Sequence, residues 1–123
     1  MGTLIPTSPV ATPQIAYDLK RAIEVVFTSW ERFRERSRTT RAVSVADNLH
    51  DRYILQLVDT TGDKYDSRTL AHLEIRNEEI WILTDNSEEG IVNELVTAGI
   101  PKSQIVLAYY PPALREMGDF AVS

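Results

Sequence analysis

Residues 73–85, LEIRNEEIWILTD, determine the architecture of this chain. Apolar and polar residues alternate on both sides of Asn77-Glu78, which is the pattern of two half-buried strands joined by a short turn. With a two-residue loop, one face of this hairpin carries Leu73, Ile75, Ile80 and Ile82. The other face carries His72, Glu74, Trp81 and Leu83. A primed two-residue turn requires a positive φ at Glu78, where glycine is the usual residue, so a loop longer than two residues remains an alternative prediction.

Upstream of the hairpin the apolar residues follow a helical period. They recur at steps of three and four over an amphipathic helix of about 22–25 residues: Ile15, Leu19, Ala22, Ile23, Val26, Phe27, Trp30 and Phe33. Thr12-Pro13 predicts the start of the helix, because threonine caps and proline suits the first helical position. The end is predicted near Arg36–Thr39. Residues 1–12 are predicted to be a flexible lead, and residues 13–123 a single domain.

Short strands and a second helix complete the pattern. Alternation predicts strands at residues 43–46 and 53–58, with hairpin strands at 70–85. Ser87 is a capping residue, Glu88 and Glu89 suit the first turn of a helix, and Gly99 is a stop signal. We therefore predict an α+β fold. A long N-terminal helix packs on an antiparallel sheet of about four to five strands, with a second helix near residues 88–98.

Composition excludes several classes of site. The chain has 123 residues and no cysteine, which rules out disulfides, thiolate metal sites and cysteine nucleophiles. The N-terminus has neither a basic region nor an apolar run, and no stretch has the length of a membrane span. We expect a soluble, cytoplasmic protein. The charge is uneven: residues 1–41 carry seven basic and four acidic side chains, whereas residues 42–123 carry six and fourteen.

No residue pattern indicates catalysis. His50 and His72 lack the spacing of metal ligands, so we predict no metal site and no cofactor. The carboxylates of Asp85, Glu88 and Glu89 have two interpretations. They are either the acidic site of a small enzyme or the negative charge that a helix N-terminus favours. We favour the second interpretation and predict a protein that is not an enzyme.

Five arginines form the most distinctive local cluster: Arg32, Arg34, Arg36, Arg38 and Arg41. Phosphate contact or docking of an acidic partner is one interpretation, and a solvated helix end is the other. Residues two apart on a helix point about 200° from each other, so these arginines encircle the axis and form no stripe. Direct DNA contact through this segment is therefore an alternative to our preferred interpretation, which is an interaction protein that does not bind nucleic acid.

The C-terminal half contains a longer specific pattern. After EIWI come EEGIVNELVTAGIPKSQIVL, YYPPALRE and GDFAV, within residues 73–122. These runs resemble the XisI family, the fdxN-element excision controlling factors. The resemblance implies a small α+β protein required, with a recombinase and an XisH-type protein, for developmental excision of a DNA element. It brings a process but no mechanism and no catalytic residues. We predict a non-catalytic regulatory or accessory protein that acts through protein–protein contact, and the XisH-type protein is the partner most implied. Tyr110 stands where the family often has histidine.

The second face of the predicted sheet suggests an interface. Two helices are too few to cover both faces of such a sheet, and soluble monomers seldom expose large apolar patches. The aromatic and apolar candidates for an interface are Trp81, Leu83, Tyr109 and Tyr110. Because two-fold dimers are the commonest closed assembly, we predict a homodimer or a higher even-numbered oligomer.

Overall fold

The computed structural model describes residues 18–34 and 37–122. The elements in chain order are helix α1 (Leu19–Arg34), strands β1 (Thr40–Asp47), β2 (Arg52–Thr61), β3 (Lys64–Arg76) and β4 (Glu79–Asp85), helix α2 (Gly90–Thr97), a 3-10 turn (Lys102–Gln104), strand β5 (Ile105–Leu107) and helix α3 (Pro112–Arg115). The predicted α+β class is confirmed. The predicted lead at 1–12 and the predicted start of the first helix lie outside the described residues.

The five strands form one sheet in the order β1-β2-β3-β4-β5. Strands β1 to β4 are an antiparallel meander. Strand β5 pairs with β4 in parallel, which differs from the wholly antiparallel sheet expected from the sequence. The reason is the connection, because α2 carries the chain back to the start of β4 and so makes a crossover that a parallel pair requires.

The central hairpin has the predicted register. Leu73 pairs with Ile82, and Ile75 pairs with Ile80. The loop is the two-residue turn, with φ of 50° at Asn77 and 63° at Glu78. Glu78 adopts the left-handed conformation without glycine, and its carbonyl accepts a hydrogen bond of 3.0 Å from the Gln104 side chain. The longer loop that the sequence left open is not used.

The core lies between one face of the sheet and both helices. Its fully buried members come from α1, from the strands and from α2, and they form a single cluster that includes Ile23, Leu55, Leu73, Ile80, Ile82, Ile91 and Leu95. The predicted stripe on α1 is buried at Leu19, Ala22, Ile23, Val26 and Phe27. The prediction is wrong for the last member of the stripe, because Phe33 is 75% exposed. Phe33 lies in the final turn of α1, beyond the part of the helix that packs on the sheet.

Helix α2 begins two residues later than predicted. Glu88 and Glu89 have φ of 57° and 68°, so they form a left-handed turn before the helix and are not in its first turn. The predicted capping residue still acts, because the Ser87 hydroxyl accepts a hydrogen bond of 2.9 Å from the Ile91 amide. At the other end Gly99 has a φ of 109°. Strands β1, β2 and β3 are longer than predicted, and β3 begins in a polar, exposed segment at Lys64. The last strand, predicted over residues 105–110, is shorter and ends at Leu107.

Candidate interaction surface

The sheet has a face on which neither α1 nor α2 packs, because the residues of both helices belong to the core cluster on the opposite side. We call the outward-facing residues of β1 to β4 on this side the open face. Its apolar members are half-buried or exposed: Val43, Val45, Ile54, Val58 and Leu83. At the β5 end Val106 is fully buried, so the open part of the face extends over β1 to β4.

A charged cluster occupies one end of the open face. Glu74 is only 7% exposed, and its carboxylate accepts hydrogen bonds of 2.8 and 2.6 Å from the Arg76 guanidinium. The Nε atom of Arg52, from the neighbouring strand, lies 3.1 Å from the same carboxylate. The Arg76 guanidinium also stacks on the Trp81 ring, at 4.7 Å from its centroid. Trp81 lies on the predicted face, but Arg76 covers one side of the ring.

The two edges of the sheet are occupied by other parts of the chain. On the β1 edge, the Glu31 carboxylate of α1 accepts hydrogen bonds from the Ser44 amide and hydroxyl at 2.9 and 3.0 Å. The Ser37 hydroxyl accepts a bond of 3.0 Å from the Thr40 amide. Beyond β5, Ala121 forms a parallel bridge with Val106. Such coverage protects edge strands from pairing with another chain.

The two tyrosines after β5 lie at the end of the sheet and contact each other, with ring centroids 4.6 Å apart. Tyr109 is half-buried and packs against the core, whereas Tyr110 is 38% exposed. Burial raises the pKa of Tyr109 to about 12, with smaller contributions from nearby Glu89, Tyr110 and Asp85. The Tyr109 hydroxyl has no hydrogen-bond partner among the described residues. Of these two candidates, only Tyr110 offers a substantial surface to a partner.

Replacement of Tyr109 by phenylalanine is expected to reduce the loss of stability at alkaline pH. Between the ordinary pKa of 10.0 and about 12, the unfolded chain releases the Tyr109 proton while the folded chain keeps it. The unfolded state therefore binds fewer protons, and stability falls as pH rises through this window. Chemical denaturation at pH 8 and pH 11 measures the fall. Tyr65→Phe is the control, because Tyr65 is 73% exposed, and it should leave the loss of stability between pH 8 and pH 11 unchanged.

The C-terminal segment exposes large apolar side chains. Among the described residues nine large hydrophobic side chains are exposed, and four of these lie in this segment. We define them as the C-terminal patch: Tyr110 (38% exposed), Leu114 (50%), Met117 (82%) and Val122 (46%). Sequence reasoning identified only Tyr110, because Leu114, Met117 and Val122 stand in a short mixed segment without a periodic pattern.

The acidic cluster is part of a turn. The Asp85 carboxylate accepts hydrogen bonds from the Ser87 amide, at 2.8 Å, and from the Ser87 hydroxyl. Glu88 and Glu89 are exposed in the left-handed turn that follows. Within residues 18–34 and 37–122, no group of three or more histidine, aspartate or glutamate side chains could hold a metal ion. Of the histidines, His50 lies 2.7 Å from Asp47 and lowers its pKa by hydrogen bonding.

The arginines are dispersed over a helix end, a loop and a strand. Arg34 stacks on the rings of Trp30 and Phe33, at 5.9 and 5.6 Å from their centroids. Arg32, Arg38 and Arg41 are exposed, and Arg36 lies outside the described residues. In the described part of the chain, no carboxylate forms an ion pair with the four arginines that can be placed. Arg34 and Arg41 line one shallow cavity together with Glu31, whereas Arg32 lines another on α1, so the arginines are divided between surfaces.

Comparison with known proteins places the fold. Residues 16–122 match the family described as XisI protein. The chain belongs to the XisI family. An XisI-like protein from Anabaena variabilis ATCC 29413 is similar in structure, with a TM-score of 0.70 and 23% identity, over 86% of this chain and 100% of that one. The fdxN element excision controlling factor XisI from the same organism has a TM-score of 0.64 and 26% identity, over 85% and 98%.

These matches confirm the resemblance found in residues 73–122 and extend it to α1 and the first strands of the XisI fold. No curated protein sequence matches the chain significantly. In the part of the chain that the structure describes, no helix combines the length and apolar character needed to cross a membrane.

Proposed function

We propose that this XisI-family protein is an accessory factor in the programmed excision of a DNA element and that it acts by binding another protein. The first half rests on the family and on the similar structure named as an fdxN element excision controlling factor. The second half rests on one observation, the C-terminal patch. Large exposed apolar surface marks interaction sites in soluble proteins, and four of the nine exposed large hydrophobic side chains of the described residues lie in this one segment.

The segment that carries the C-terminal patch is held in place for binding. The Arg115 guanidinium donates a hydrogen bond of 3.1 Å to the Tyr110 carbonyl. Further along, the Ala121 amide donates a bond of 2.8 Å to the Ile105 carbonyl, and the Lys102 ammonium lies 5.6 Å from the centroid of the Phe120 ring. A segment that is braced by an internal hydrogen bond and anchored at its C-terminal end loses less conformational entropy when it binds, so its apolar side chains contribute more to affinity.

The proposed partner is an XisH-type protein, which is the companion that the family resemblance implies. The C-terminal patch presents apolar side chains around the short helix α3, and this surface suits a partner with a complementary apolar groove. Tyr110 is the aromatic member, and aromatic side chains commonly contribute most to such interfaces.

Co-purification tests the proposal. The chain is expressed with an XisH-type protein encoded in the same genome, and recovery of the complex is measured for the parent and for a Leu114→Ser, Met117→Ser double variant. We expect recovery to fall about tenfold or more in the double variant, because both side chains are lost from the patch. Leu49→Ser, at a position that is 85% exposed in the β1–β2 turn, is the matched control and should leave recovery unchanged.

Three results would contradict the proposal. The first is equal recovery of the parent and the double variant, or no complex with the parent. The second is a salt-dependent shift of a short DNA duplex at sub-micromolar protein that is lost when Arg38 and Arg41 become alanine, which would assign direct DNA contact. The third is a metal-dependent rise in thermal stability that is lost in Asp85→Asn, which would favour the small enzyme with an acidic site.

A further inference from the structure

The open face provides enough area for a specific interface. Strands lie about 4.8 Å apart and rise about 3.4 Å per residue, so four strands of about eight residues present a projected area of about 500 Å². A specific interface needs about 1,000 Å² in total, shared between two partners. The projected areas of two open faces therefore sum to about the 1,000 Å² that a specific interface needs, and the uneven surface of the side chains adds further area.

The charges of the open face balance. Strand alternation and register place three arginines and three carboxylates on this side: Arg41, Arg52, Arg76, Asp47, Glu74 and Glu79. Glu74 pairs with both Arg52 and Arg76. The rest of the body is strongly acidic, and two acidic surfaces would repel each other. A face without net charge can meet an identical copy of itself without this repulsion.

Both edges of the sheet are engaged by other parts of the chain, so we expect a second copy to associate across the open face and not by adding a strand at an edge. Glu31 and Ser37 engage amides on the outer side of β1, and Ala121 bridges to β5 at the other end of the sheet. Addition of a strand from a second copy would have to displace these contacts. Association across the open face displaces none of them and buries Val45, which is 52% exposed.

We infer that two copies of this chain associate through their open faces into a two-fold dimer. Val43, Val45, Ile54 and Leu83 form the apolar centre, and the Arg52–Glu74–Arg76 cluster lies at one end. In a two-fold contact both subunits use the same patch, so each apolar residue of the centre is buried in one subunit and again in its partner. Trp81 supports the interface indirectly, because the Arg76 guanidinium that lies over its ring faces the partner subunit. This inference uses a different surface from the C-terminal patch and is independent of the proposed function.

Light scattering of the full chain tests the inference. At tens of micromolar protein we expect a mass of twice 13.9 kDa. Val45→Lys should raise the dissociation constant about tenfold or more, because it places an unpaired charge at the apolar centre. Val25→Lys, at a valine that is 47% exposed on α1, is the matched control and should leave the dimer intact. Circular dichroism at low concentration checks that both variants fold.

A mass near 13.9 kDa for the parent at this concentration would overturn the inference. A dimer that tolerates Val45→Lys as well as Val25→Lys would also overturn it, since association would then use another surface. If Val45→Lys prevents recovery of the XisH-type protein while the parent alone is monomeric, the open face belongs to that partner and the dimer is wrong.

Discussion

Replacement of Leu55 by alanine is expected to lower the free energy of unfolding by about 2–5 kcal/mol. Leu55 is fully buried in the centre of β2. Its cross-strand partners are Ser44 on β1 and Ala71 on β3, both of them small. Neither neighbour can expand into the space that the leucine side chain leaves. The loss of buried apolar surface is therefore accompanied by a cavity that the sheet cannot close.

The control is Leu49→Ala, because Leu49 is 85% exposed in the turn between β1 and β2. Its free energy of unfolding should stay within about 0.5 kcal/mol of the parent. Urea denaturation of the parent and both variants measures the difference. Similar midpoints for Leu55→Ala and Leu49→Ala would mean that the face of β2 toward α1 is not the core.

Replacement of Gly99 by valine is expected to lower the free energy of unfolding by about 1–3 kcal/mol, which is the second largest change in stability that we predict. Gly99 ends α2 with a φ of 109°, and the amides of Gly99 and Ile100 donate to the carbonyls of Val96 and Leu95 at 3.0 and 3.1 Å. This pair of bonds is the Schellman motif, which needs a left-handed residue. A Cβ atom at Gly99 would have no neighbour within 4 Å, so the cost lies in the backbone conformation.

Gly118→Ala is the matched control for this prediction. Gly118 does not have a positive φ, and the nearest atom to an added Cβ is the Arg115 carbonyl oxygen at 4.0 Å. Alanine at this position should therefore change the urea midpoint little. If Gly99→Val unfolds at the same urea concentration as Gly118→Ala, the helix end tolerates a β-branched residue and our account of the Schellman motif is wrong.

Much of the fold could be predicted from local patterns. Alternation on either side of Asn77 set the register of β3 and β4, because a one-residue slip would have exposed Ile80 and Ile82. The direction of β5 could not be predicted in the same way. A three-residue strand of uniformly apolar residues has no alternation, so only the path of α2 over the core determines that β5 runs parallel.

Left-handed residues were harder to predict than strands. Glu78, Glu88 and Glu89 all have a positive φ, although glutamate has no special preference for that region. Tertiary contacts provide the compensation at Glu78, whose carbonyl binds the Gln104 side chain from a distant segment. A contact between residues so far apart in the chain leaves no local signal, so the sequence could not decide between the two-residue turn and a longer loop.

The candidate surfaces could be predicted in part. The register correctly placed Trp81 opposite Glu74 and away from Leu73, but it could not reveal that Arg76 covers Trp81. That contact depends on Glu74, which holds the arginine in place from the same strand. The C-terminal patch had no signal beyond the double proline after Tyr110, because exposure in an irregular segment is set by how that segment packs.

The parallel pairing of β5 has a consequence for how the chain assembles. Strands β1 to β4 pair only with their neighbours in sequence, through the short connections at residues 48–51, 62–63 and 77–78. The meander can therefore form at a low entropic cost of loop closure, whereas β5 must close the whole segment 86–104 before it gains a single pairing. The C-terminal segment that bridges to β5 depends on that step. Folding is thus expected to be vectorial, with the N-terminal meander as its nucleus and β5 docking last.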